Sequence, residues 1–149
     1  MRRKRPKPEP LLPQGDPKRR VEIATAVILL ETAHADERIT GGEEQRIRRS
    51  LQKFFDLDEA QSRELLELSA RMRERSVDLW QFTSTINREV TGREKQRIIE
   101  MLWEVVYTDG RLDRYEDYVL HKLCRVLRVS HADMIQAKLR ARERMERET

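Results

Sequence analysis

An all-α domain of about seven helices is predicted by three features of the chain. All five prolines lie at or before Pro17, and beyond it only Gly41, Gly42, Gly92 and Gly110 interrupt the sequence, so helix breakers are scarce. Apolar residues recur at three- and four-residue spacing in successive segments, the period of one helix face. Alternating runs of β-branched and aromatic residues long enough to make strands are missing.

Each helix has its own signal. Val21, Ala24, Val27, Ile28 and Ala35, thickened by Leu29 and Leu30, predict a first helix that is apolar around much of its surface and therefore central, ending near Ala35. After Ile39-Thr40-Gly41-Gly42, a second helix carries Ile47, Leu51, Phe54 and Phe55. Asp58-Glu59-Ala60-Gln61 reads as a capping box, in which an acidic side chain and a glutamine amide satisfy each other's backbone N–H groups. It opens a third helix through Leu65, Leu66, Leu68 and Met72. Asp78 is expected to cap a fourth, with Leu79, Phe82, Ile86 and Val90. After Gly92 comes a fifth with Ile98, Ile99, Leu102, Val105 and Val106, closed by Asp109-Gly110, where glycine suits a left-handed C-terminal residue. Tyr115, Val119, Leu123 and Leu127 mark a sixth, and Ser130-x-x-Asp133 opens a seventh with Met134, Ile135 and Leu139.

Charge divides the chain into unequal parts. Residues 1–20 hold eight Lys/Arg against Glu9 and Asp16, a net of +6, so with +4 overall the remainder nets −2 and the basic character belongs to the N-terminus. Residues 1–19 are read as a disordered, basic, proline-rich arm, residues 20–142 as the helical domain, and residues 143–149 as a fraying helix end. The arm offers weak, charge-driven attraction to nucleic acid or anionic membrane, but no aromatic residues interleave its cations to give specificity. One cysteine, Cys124, excludes an internal disulfide and is expected to pack as a small apolar residue. No apolar run approaches the roughly 18 residues that a bilayer-spanning helix needs, so a soluble, cytoplasmic protein is expected.

One acidic helix–loop–helix occurs twice. Glu31, Asp36, Ile39, Glu43 and Ile47 recur 73 positions later as Glu104, Asp109, Leu112, Glu116 and Leu120. Acids and apolar residues repeat together, which suggests duplicated chemistry as well as duplicated packing. In each half an N-cap signal follows, Leu57-Asp58 and Val129-Ser130, with the offset now 72. Two units burying the same face can pack about a pseudo-two-fold axis, which would bring their loops together. Asp36 and Asp109 follow helix C-termini, where the macrodipole disfavours an acid by roughly 0.3–1 kcal/mol and asks for a compensating partner. Glu43 and Glu116 fall in the first turn of the next helix, where an acid is favoured, and Glu31 and Glu104 lie a little over one turn before the aspartates.

Up to six carboxylates converging on one region repel one another unless protonated, matched by arginine or lysine, or neutralised by a cation. All-oxygen ligands favour a hard divalent ion, Ca²⁺, Mg²⁺ or Mn²⁺. An EF-hand is excluded because its terminal acid would fall at Ile47 and Leu120. Zinc has little support, since His34, His121 and His131 lack partners at ligand spacing. Arg38 and Arg111, at equivalent places in the two copies, offer the competing account, a metal-free ring of salt bridges.

At these residues the chain resembles the TerB-like family, named for tellurite-resistance proteins and found also as a domain of membrane-anchored DnaJ-type co-chaperones. The resemblance rests on Glu31-x-Ala33-x-Ala35-Asp36 with Ile39 and Glu43, on Trp103-Glu104-Val105 through Asp109-Gly110-x-Leu112 to Glu116, and on Ser76-Val77-Asp78-Leu79-x-x-Phe82-Thr83 between them. It covers roughly residues 20–142. It implies an all-α domain with pseudo-two-fold symmetry and a metal site built from the motif acids, with no established reaction. The first copy departs from the family pattern at Glu37, where glycine is usual.

Catalytic signatures are missing: there is no Ser-His-Asp set and no glycine-rich phosphate loop, and Gly41-Gly42 is explained as the turn before a helix. The expected function is therefore a non-enzymatic module in a stress or tellurite-resistance-related role, binding a divalent cation at Glu31, Asp36, Glu43, Glu104, Asp109 and Glu116. The alternative is a metal-free scaffold or co-chaperone-like adaptor, and either role calls for a protein partner.

Overall fold

The computed structural model describes residues 12, 13, 15–33, 41–76, 78–106 and 114–147, with the backbone alone for 41–43 and 114–116. Among the described residues there are seven helices: α1 Pro17–Ala33, α2 Gly41–Phe55, α3 Glu59–Arg75, α4 Trp80–Glu89, α5 Gly92–Val106, α6 Arg114–Val126 and α7 His131–Arg147. Among the described residues there is no strand. The chain is all-α, as its periodicity predicts.

Helix α1 is the hub. Every residue from Glu22 to Leu30 is buried, and the helix packs on α2, α3, α4, α5 and α6. A helix apolar on all sides can satisfy its surface only in this central place. Helix α5 is the second organiser, buried from Ile98 to Trp103 and packed on α1, α2, α6 and α7. Trp103 and Phe82 are the largest side chains sealed in the common core.

The two halves share their local chemistry at the second loop of each repeat. Helix α2 ends with Asp56 at φ 54° and the Leu57 amide donating to the Gln52 carbonyl at 3.0 Å. Helix α6 ends with Arg128 at φ 59° and the Val129 amide donating to the Cys124 carbonyl at 2.8 Å. Both are Schellman turns whose left-handed residue is not glycine, and in both the following apolar residue packs on the core. The next helix is then capped alike: the Gln61 amide donates to Asp58 at 2.7 Å, completing the capping box, and the Asp133 amide donates to Ser130 at 3.1 Å. The 72-residue offset of the N-cap signals is thus an offset of one turn motif.

At its N-terminal end the described structure reaches beyond the boundary read from the sequence. Helix α1 begins at Pro17, ahead of the boundary drawn at residue 20, because Asp16 accepts the Arg19 amide at 3.1 Å and a proline is well suited to the first helical position. Leu12, assigned to the arm, is 5% exposed and joins the core, while Arg20 donates to the Pro13 carbonyl at 3.1 Å. Residues 1–11 lie outside the described residues. At the other end, α7 runs to Arg147. Smaller shifts concern caps: the Asp78 side chain accepts from the Trp80 amide at 2.9 Å but α4 starts at Trp80, with Leu79 as N-cap residue. Helix α5 starts at Gly92, with the Thr91 hydroxyl accepting the Glu94 amide at 3.2 Å.

Candidate functional site

The repeat places its acids at the ends of the two most buried helices. Glu31 sits in the last turn of α1 and Glu104 in the last turn of α5, each half-buried. Their side chains keep 30% and 19% exposure, although the residues just before them, Leu30 and Trp103, are sealed in the core. The carboxylates therefore emerge at the rim of the core, where a charge retains partial hydration.

Each acid meets an arginine from the end of the third helix in its own half. Arg73 Nε donates to Glu31 at 2.7 Å, and Arg144 donates to Glu104 at 3.0 Å. These pairings join α1 to α3 and α5 to α7. The arginines come from positions that the motif does not contain; Arg38 and Arg111, the partners considered from sequence, lie outside the described residues. A faint signal exists in hindsight, because Arg73 and Arg144 both stand in the last turn or so of helices that α1 and α5 must pack against.

The second half adds a buried acid. Glu100, one turn before Glu104, is 3% exposed and faces Arg144 at 3.0 Å and Arg140 at 3.8 Å. One guanidinium thus bridges two carboxylates on α5. Burying a carboxylate without such cations would cost several kcal/mol, roughly, so α7 is bound to α5 electrostatically as well as by Met134, Ala137 and Ala141.

The remaining motif acids are only partly placed. Asp36 and Asp109 lie outside the described residues, as do the side chains of Glu43 and Glu116, whose backbones belong to α2 and α6. His34 is outside them too. Among the described residues no group of three or more His, Cys, Asp or Glu is arranged to hold a metal ion. Histidine spacing missed one proximity: the rings of His121 and His131 lie 6.4 Å apart, with Asp117 3.5 Å from His121. Cys124 is packed, and burial pushes its thiol up to about 12, which keeps it protonated and non-nucleophilic at neutral pH.

A second charged feature adjoins Glu104. Arg46, Arg49 and Lys53 recur along one face of α2, across a cleft from Arg97 on α5. Sequence reading takes such a stripe for a solvated helix face; only the packing of α2 on α5 makes it one wall of a concavity.

No helix among the described residues is long and apolar enough to cross a membrane. No curated protein and no solved structure was found to match the chain. The family model described as tellurite resistance protein TerB matches residues 22–139, from within α1 to within α7, with both copies of the acidic motif. On the strength of that match, together with the seven-helix fold, the chain belongs to the TerB family.

Proposed function

We propose that the protein is a non-enzymatic TerB module that binds one divalent cation, Ca²⁺, Mg²⁺ or Mn²⁺, between its two acidic loops and couples that binding to a protein partner in a stress response. The observation that carries this reading is the matched placement of Glu31 and Glu104, each in the last turn of a core helix and each oriented by an arginine. Asp36, Glu43, Asp109 and Glu116 are the other acids of the repeated motif, and carboxylate oxygens suit a hard cation. The packing of α1 on both α5 and α6 supports a pseudo-two-fold arrangement in which the two loops share one site. Glu31 and Glu104, already engaged, would orient the ligating loops from behind or supply a further oxygen.

Because a cation that binds only the folded state stabilises it by mass action, a hundredfold excess over the dissociation constant should add about 2.7 kcal/mol to unfolding. Urea melts of wild type with and without millimolar Ca²⁺, Mg²⁺ and Mn²⁺ test this. Asp109→Asn should lose most of the gain, and Glu67→Gln, an exposed acid on α3, should keep it. Equal melts with and without each cation would dispose of the metal reading.

The two glutamate–arginine pairs also favour a second reading, a metal-free scaffold in which ion pairs lock α3 and α7 in place and an outer face docks a partner. In that case Asp109→Asn and wild type should unfold alike at every cation concentration. The basic arm adds attraction to anionic surfaces that should fade as salt rises.

A further inference from the structure

The cleft between α2, α5 and the end of α7 has a volume of about 520 Å³ and a strongly unbalanced charge. Arg46, Arg49, Lys53, Arg97 and Arg144 line it against a single acid, Glu104, for a formal net of +4. Arg144 is committed to Glu100 and Glu104. Among the described residues no acid pairs with Arg49, Lys53 or Arg97. Arg97 is held with its guanidinium 4.9 Å from the Phe54 ring centroid, a cation–π contact that fixes the charge at the cleft edge. Below the cations, Phe54, Met101 and Met145 provide an apolar floor.

Like charges on two helices that face each other across a groove repel, and the repulsion is larger where the groove walls exclude water. A solvated stripe on a convex face carries no such penalty. The concave arrangement is therefore complementary to a multiply charged anion. A single carboxylate or monoanion would leave most of the charge of Arg49, Lys53 and Arg97 uncompensated, whereas a di- or triphosphate, at about −3 to −4, matches these three cations. The volume lies in the range of about 300–1,000 Å³ typical of small-ligand sites, too confined for a duplex, and the apolar floor suits the non-phosphate part of the ligand.

The geometry points to a binding site for a small polyphosphate ester of the nucleoside di- or triphosphate class, with Arg49, Lys53 and Arg97 holding the phosphates. The cleft shares Glu104 with the acidic repeat, but phosphate binding by these three cations does not require a bound divalent ion. The test is calorimetric titration of the full chain with ATP, and separately with inorganic tripolyphosphate, in buffer containing EDTA so that no divalent cation contributes. One equivalent of ATP should bind, and Arg49→Gln, Lys53→Gln and Arg97→Gln should each weaken it by about tenfold, as expected for loss of a charge-assisted contact. Lys53→Arg should retain affinity, and circular dichroism should show each variant as helical as wild type. ATP affinity unchanged by all three glutamine variants would place the binding on the N-terminal arm and overturn the proposal. So would tighter, variant-sensitive binding of a single-stranded oligonucleotide or of a glutamate-rich peptide than of ATP, or no binding of ATP at all.

Discussion

Both halves clamp the end of their third helix to a motif glutamate, and the first half adds a polar network at the helix's beginning. At the α2–α3 junction Gln52 donates to Glu59 at 2.8 Å and to Ser62 at 2.9 Å, and Arg48 pairs with Glu59. In the 72-residue register of the turn, Cys124 stands for Gln52 and His131 for Glu59, and they cannot rebuild that network. Helix α7 is fastened through Arg144 to Glu104, as α3 is through Arg73 to Glu31, and in addition through Arg144 and Arg140 to Glu100, where the residue 73 positions earlier is the fully buried Val27. At the turn, what the halves keep in common is backbone: the left-handed turn residue, the apolar residue after it and the N-cap. The turn geometry, the loop acids and one glutamate–arginine pair recur, while the rest of the polar fastening differs from one half to the other.

The largest expected effects probe the apolar layer that both halves share. Trp103 and Leu30 occupy matching positions of α5 and α1 and are 0% and 1% exposed. Trp103→Ala should destabilise by about 4 kcal/mol and Leu30→Ala by about 3 kcal/mol in urea unfolding, since both leave sealed cavities. A loss under about 1 kcal/mol at either position would show that its half is loosely packed.

The fastening itself separates the halves more sharply. Arg144→Ala strands Glu100 in the core with only Arg140, at 3.8 Å, for compensation. It should cost about 2 kcal/mol, reduced from the full penalty of a broken buried pair because Arg144 is itself more than half exposed. Arg73→Ala leaves Glu31 30% exposed and hydrated, so its cost should stay below about 1 kcal/mol. Equal costs would mean that the two arginines do the same job. Arg144→Ala combined with Glu100→Leu should recover part of the loss, as expected when the problem is an unpaired buried carboxylate.

These contrasts show what the sequence makes legible. All seven helices follow from apolar periodicity, and the Asp58–Gln61 box and the Ser130 cap are local enough to be read from four residues. The start of α1 was obscured because Asp16-Pro17, a sound N-terminal signal, follows a run of prolines and cations that reads as a tail. Leu12 had no periodic neighbours to mark it as core. Glu100, Arg73 and Arg144 could not be singled out, because whether a charged residue on an amphipathic helix faces solvent or another charge depends on the neighbour's crossing, which no local pattern encodes. Of the candidate site, Glu31 and Glu104 are placed at the helix ends expected of them, and their arginine partners are findings of the packing.

The shared turn offers a gain of stability. Arg128 carries a side chain into the left-handed region beside Lys95, whose own ammonium is held below its ordinary pKa by burial and by the Arg128 charge. Arg128→Gly should relieve both strain and repulsion and stabilise by about 1 kcal/mol, with the Lys95 pKa rising in an NMR titration. Asp56→Gly, at the matching turn, should gain less, because aspartate tolerates that conformation better than arginine. No gain at Arg128 would indicate that its side chain makes a compensating contact.

The smallest effect concerns the first half's clamp. Hydrogen bonding from Gln52, with Arg48 and Arg63 nearby, holds Glu59 below its ordinary value of 4.5. A carboxylate depressed by folding contributes stability above its unfolded pKa and loses it as pH falls through the folded value. The stability difference between wild type and Glu59→Gln should thus be present at neutral pH and disappear in acid below 4.5. A difference that persists unchanged to pH 3 would assign the effect to packing instead of charge.

The central claim is that two diverged halves still serve one cation site, and titration calorimetry on Asp36→Asn and Asp109→Asn addresses it most directly. Wild type should bind a single equivalent of Ca²⁺, Mg²⁺ or Mn²⁺, and either substitution alone should weaken that binding by about tenfold or more, as loss of one anionic oxygen ligand demands. Two equivalents in wild type, of which each substitution removes only one, would contradict a shared site, and no binding heat for any of the three cations would contradict the site altogether.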